Sequence, residues 1–94
     1  MSTGGDRMLA FPELIAPAAT EAGIEVPPDL GNFDPEEYPH WTVFCNAQLG
    51  QPMPTPHAHW DNAKVIASIS DEDIMNITVA QLIGKGLQVG FSKP

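Results

Sequence analysis

The sequence predicts an α+β fold: a small β-β-α-β unit over residues 41–94, preceded by an extended, acidic, proline-rich arm over residues 1–40. Three observations predict it. Residues 41–49 alternate apolar and polar side chains with the two-residue period of a half-buried strand. Residues 74–83 carry an apolar stripe at helical spacing behind a serine and three carboxylates. The third is the imbalance between the halves of the chain. Residues 1–40 hold eight acidic side chains against Arg7 alone, whereas residues 41–94 hold four against Lys64, Lys85 and Lys93. Nine of the ten prolines precede residue 57, six of them within residues 1–40, which puts irregular backbone in the acidic half and in the loop that follows residue 49.

Taken in order, residues 1–7 are small and polar. Leu9, Phe11, Leu14, Ile15, Ala18 and Ala19 have partial helical spacing, so a short helix is expected near 12–22, with Pro12 at its start and Gly23 as its stop. Pro17 is expected to interrupt anything longer. Residues 24–28 should be extended, because Pro27 and Pro28 push their predecessors toward β or polyproline conformations. Residues 29–40 are turn-rich and should run over a surface.

Trp41, Val43, Cys45, Ala47 and Leu49 make the apolar side of the first strand, although Phe44 falls on its polar side. Residues 50–56 hold three prolines and read as a loop. Val65, Ala67 and Ile69 suggest a second strand over 63–69. Ser70 is an N-cap, and Asp71, Glu72 and Asp73 suit the positive end of a helix dipole. Ile74, Met75, Thr78, Val79, Leu82 and Ile83 form the stripe of that helix, which Gly84 or Gly86 ends. Leu87, Val89 and Phe91 alternate as a short last strand.

Composition bounds function. A hydrophobic share of 43% places the chain among folded proteins. A core drawn only from residues 41–94 would be marginal, so support from a homo-oligomer or a larger assembly is expected. The single cysteine, Cys45, excludes an internal disulfide framework and suits a reducing compartment. No signal peptide is legible and no stretch has the ~20 apolar residues of a membrane span, so a cytoplasmic or virion location is expected. A net charge of −8 repels phosphate backbones and anionic lipids, which disfavours direct binding to nucleic acid or membrane.

Constellations with chemistry are few. His57 and His59, two apart on an extended chain, would project the same way and bind a metal with help from Asp61, Cys45 or His40. Cys45 has no activating base or helix N-terminus in its neighbourhood of the sequence, and its register makes it a core thiol. Gly84-Lys85-Gly86 lacks the loop and the Ser or Thr of a phosphate-binding motif. No catalytic residue and no cofactor are implied. The segment 31–41 is different: aromatic anchors alternate with carboxylates where neither helix nor sheet is expected. Phe33, Asp34, Glu36, Glu37, Tyr38 and Trp41 are therefore the candidate partner-binding residues, unless the three rings pack back on the protein itself.

The leading expectation is a non-enzymatic structural or accessory protein that attaches to a larger protein assembly through its N-terminal arm, as a virion decoration or cement subunit does. A second reading is a small acidic inhibitor that mimics nucleic acid, of the anti-restriction or anti-CRISPR type. A third is a metal-binding protein built on His57 and His59.

Overall fold

Five helices account for the regular structure of this protein in the computed structural model, which describes residues 11–49 and 57–90. They are α1 (Phe11–Ala22), α2 (Pro39–Gln48), α3 (Ala58–Ala67), α4 (Asp71–Ile74) and α5 (Val79–Gly84). No strand occurs among the described residues, so the expected α+β class and its β-β-α-β unit are overturned in favour of an all-helical one. The expected loop over 50–56, residues 1–10 and Phe91 of the expected last strand lie outside the described residues.

The first expected strand is α2. Its buried residues are Trp41, Phe44, Ala47 and Gln48, which fall on one face of a 3.6-residue period. Phe44, out of place in a strand, is the residue that the helical period requires. Pro39 occupies the first turn, where its missing N–H costs nothing. The second expected strand is α3, with Ala58, Asn62, Ala63 and Ile66 buried at helical spacing. Asp61 in its first turn and Lys64 in its last both complement the helix dipole.

The expected single helix after Ser70 is two short ones. Ser70 does cap α4, its Oγ accepting from the Asp73 N–H at 3.1 Å. The helix then stops, and Thr78 starts another. Thr78 Oγ1 accepts from the Gln81 N–H, while Gln81 Oε1 accepts from the Thr78 N–H, a complete capping box. This reciprocal pair satisfies two donors that a continuous helix would have bonded internally. The apolar stripe divides with it: Ile74 and Leu82 are buried, whereas Met75, Val79 and Ile83 are exposed. Residues 87–90, expected as part of a strand, have no regular secondary structure, and Gln88 is held there by the Asn62 side chain of α3.

The core draws on both sides of residue 40. Ile15, Ala18 and Ala19 of α1 join Trp41, Phe44, Ile66, Ile74, Leu82 and Leu87 in one cluster. α1 and α2 both pack on α3, and α2 also meets α4. The short helix expected near 12–22 is α1, and its buried face makes it part of the core. Pro17 lies inside that helix but on its exposed side, so its ring meets water and the buried face is uninterrupted.

Two helices close in the same way. Ile24 N–H reaches Ala19 C=O at 2.8 Å and Gly23 N–H reaches Thr20 C=O, with Gly23 at φ +97°. Leu87 N–H reaches Leu82 C=O at 2.9 Å and Gly86 N–H reaches Ile83 C=O, with Gly86 at φ +117°. Both are Schellman motifs, and each delivers a buried apolar residue, Ile24 or Leu87, just past the glycine. Any other residue type at either glycine would sit in a left-handed conformation costing roughly 1–2 kcal/mol.

Candidate functional site

The end of α1 and two side-chain turns shape the segment that leads to α2. Asp29 Oδ1 accepts from the Gly31 N–H, and Asp34 Oδ1 accepts from the Glu36 N–H, both at 3.0 Å. These Asx turns satisfy backbone donors locally and fold residues 29–38 without regular structure. Glu37 N–H also reaches Asp34 C=O, and Tyr38 N–H reaches Pro35 C=O. Glu36 and Glu37 are thereby held at the entrance to α2, facing solvent.

On the other side of this entrance lies the α3–α4 turn. The His40 ring joins the two, its Nε2–H donating to the Ile69 carbonyl at 2.6 Å. A carbonyl only accepts, so Nε2 carries the hydrogen. Nδ1 stands 3.8 Å from Asp71 Oδ1. Asp71 is almost fully exposed, so that contact contributes little to stability.

The result is a cleft of about 700 Å³. Ile24, Ala67, Ile69 and Met75 give it apolar walls, and Glu25, Glu36, Glu37 and Asp71 give it a carboxylate rim around His40. No lysine, arginine, serine, threonine or cysteine lines it among the described residues. More widely, eleven exposed carboxylates are set against Lys64 and Lys85 over the described residues, and the cleft is where four of them converge around apolar walls. Such an arrangement attracts cations and offers their alkyl stems a surface.

Five of the six residues singled out in the sequence, Phe33, Asp34, Glu36, Glu37 and Tyr38, lie together on the 33–38 turn. Trp41 does not join them. It is 0% exposed, edge-on to Phe44 at 6.3 Å between ring centres, and belongs to the core. Phe33 and Tyr38 are half-buried and rest against that core. They also line a second hollow of about 510 Å³ with Pro28, Asn32, Asp34 and Glu37. Sequence reasoning missed Glu25 and Asp71 as members of one site. Asp71 carried a visible signal as a first-turn carboxylate, but its approach to Glu25 depends on α4 folding back over the start of α2.

The histidine pair lies elsewhere. His57 precedes α3 and His59 is on its first turn, so the two residues follow helical spacing, in which positions two apart do not face one another. The extended-chain argument for a shared metal ion therefore no longer holds. His59 lies against the Trp60 ring, and its pKa is lowered, first by burial and then by the charge of His57. No group of three or more metal-ligating side chains occurs among the described residues.

Cys45 is half-buried on α2, and burial pushes its thiol up to about 11. At pH 8 the thiolate fraction is then about a hundredfold smaller than that of an ordinary cysteine. Iodoacetamide should accordingly modify the folded protein about a hundredfold more slowly than the urea-unfolded chain. Equal rates would place the thiol in open water. Compared with known proteins, the chain matches no family model, no curated protein and no solved structure. No helix among the described residues is long and apolar enough to cross a membrane.

Proposed function

We propose that this chain is a non-enzymatic accessory subunit that holds a basic segment of a larger protein in the cleft rimmed by Glu25, Glu36, Glu37 and Asp71. One observation carries the reading: four carboxylates from three separate parts of the chain converge around apolar walls with no lysine or arginine among the lining residues. Segments far apart in sequence are brought to one place only by the fold. The partner is a protein because the walls are aliphatic, and the lysine or arginine stems that reach the rim would cover Ile69 and Met75.

The test uses the natural partner, recovered from the source of the protein at low salt and identified. The combined substitution Glu25→Gln, Glu36→Gln and Asp71→Asn leaves the core intact and should weaken binding about tenfold, at roughly 0.5 kcal/mol for each exposed charge pair. Raising the salt from 0.1 to 0.5 M should weaken the wild type more than the variant. A partner that binds both proteins equally at both salt concentrations would overturn the cleft as the binding site. A partner that is a nucleic-acid-handling enzyme, displaced by duplex DNA, would replace this reading with that of a nucleic-acid mimic.

A further inference from the structure

The hollow beside the cleft has a chemistry of its own. Phe33 and Tyr38 line it with their ring centres 6.0 Å apart and their planes at 89°. Each ring is braced by the core on one side, so neither must be ordered when a ligand arrives. Asp34 and Glu37 supply carboxylates, and the Asp34 group is already fixed by the Glu36 N–H that its Oδ1 accepts. Pro28 closes another side with a rigid ring. Aromatic faces and carboxylates around one small hollow suit an organic cation that can stack and donate hydrogen bonds in the same plane.

Among protein side chains this is arginine. Its guanidinium is planar and weakly hydrated, stacks on aromatic faces and presents paired donors to a carboxylate. A lysine ammonium is compact and strongly hydrated, and gains less from a ring. The hollow also adjoins the acidic cleft, since Glu37 and Tyr38 line both. We propose that the hollow takes one arginine side chain of the basic segment whose remaining charges occupy the cleft. The identity of the occupant rests on the function proposed above; the preference for guanidinium rests on the Phe33–Tyr38 corner.

Two-dimensional amide NMR of the full chain, labelled with nitrogen-15 and titrated at low salt, tests this. The probes are N-acetyl-arginine methylamide, its lysine analogue and its neutral citrulline analogue. The arginine probe should shift residues 32–38 saturably, the lysine probe should bind about threefold or more weakly, and citrulline should leave the spectrum unchanged. Phe33→Leu keeps apolar volume against the core while removing the ring. Asp34→Asn keeps an oxygen to accept the Glu36 N–H while removing the charge. Each should weaken the arginine probe about threefold or more without moving signals in α3. Equal binding of arginine and lysine, or indifference to Phe33→Leu, would overturn the proposal. An arginine-containing basic peptide that shifts Glu25, His40 and Asp71 but not residues 32–38 would also overturn it, while leaving the cleft standing. The converse pattern, with the arginine probe in the hollow and a partner indifferent to the cleft substitutions, would retain the hollow and remove the cleft.

Discussion

Trp41→Ala should cost about 3–5 kcal/mol and leave the chain much closer to its unfolding threshold at 25 °C. Trp41 is fully buried, its ring packs edge-on to Phe44, and it sits on the helix that joins α3 to α4. Chains of this size hold roughly 0.05–0.15 kcal/mol of stability per residue, so a loss of that order consumes much of the total. The control is Trp41→Phe. The indole N–H of Trp41 is buried with no hydrogen-bond partner among the described residues, a donor whose desolvation is uncompensated. Phenylalanine removes that donor and keeps most of the ring, so its cost should be about 1–2 kcal/mol, offset partly by relief of the orphan. Urea denaturation followed by circular dichroism gives both values, and Trp60 remains as a fluorescent probe in each variant. A Trp41→Ala protein that stays folded with less than about 1 kcal/mol lost would contradict the burial of Trp41 and return it to the candidate interface.

The place of Trp41 shows how far the sequence could be read. The aromatic and acidic segment before α2 stood out because its composition is local, and Phe33, Asp34, Glu36, Glu37 and Tyr38 do lie together. Trp41, three residues on, follows helix geometry and turns inward. The two readings of residues 41–49 differ at three residues: Phe44 and Gln48 fall on the polar side of a two-residue period but are buried in the helix, and Leu49 falls on its apolar side but is exposed. Val43, Cys45 and Ala47 fit either pattern, since nine residues give a strand and a helix nearly equal support. In α3 the buried set includes Asn62, a polar residue that hydropathy assigns to the surface, so its helical period was hidden. Caps were more legible than periods. Ser70 and Gly23 act where their chemistry predicts, because capping is decided within a few residues. The capping box at Thr78 and Gln81 was present in the sequence and marks the break that the apolar stripe concealed. The cleft itself was beyond reach, because Glu25, His40 and Asp71 meet only through contacts between distant segments.

Asn62 offers the sharpest test of how the last described residues are held. Its side chain is fully buried and reads the backbone of one residue twice: Oδ1 accepts from the Gln88 N–H at 2.7 Å, and Nδ2 donates to the Gln88 C=O at 2.8 Å. Nδ2 also approaches Gln48 Oε1 at 3.3 Å, which links α2 and α3 to the same point. Asn62 thus supplies to Gln88 the pair of backbone bonds that a neighbouring strand would have given. Asn62→Ala should cost about 2–4 kcal/mol, since it leaves a donor and an acceptor of Gln88 and the Gln48 amide without partners and opens a small cavity. Amide exchange should accelerate at Gln88 before it does in α3; a cost below about 1 kcal/mol with unchanged exchange would show that the pairing is not made in solution. Asn62→Asp separates the two bonds. Its carboxylate can still accept from the Gln88 N–H but sets negative charge against the Gln88 C=O and Gln48 Oε1. Burial and these acceptors raise the folded-state pKa of that carboxyl above its unfolded value of about 3.9, so the folded form binds more protons than the unfolded form. Relative to the wild type, the variant should therefore be least impaired below about pH 4 and lose stability as pH rises through the folded-state pKa. A deficit independent of pH would mean that the carboxylate reaches water, and that the Asn62 site is more open than its burial indicates.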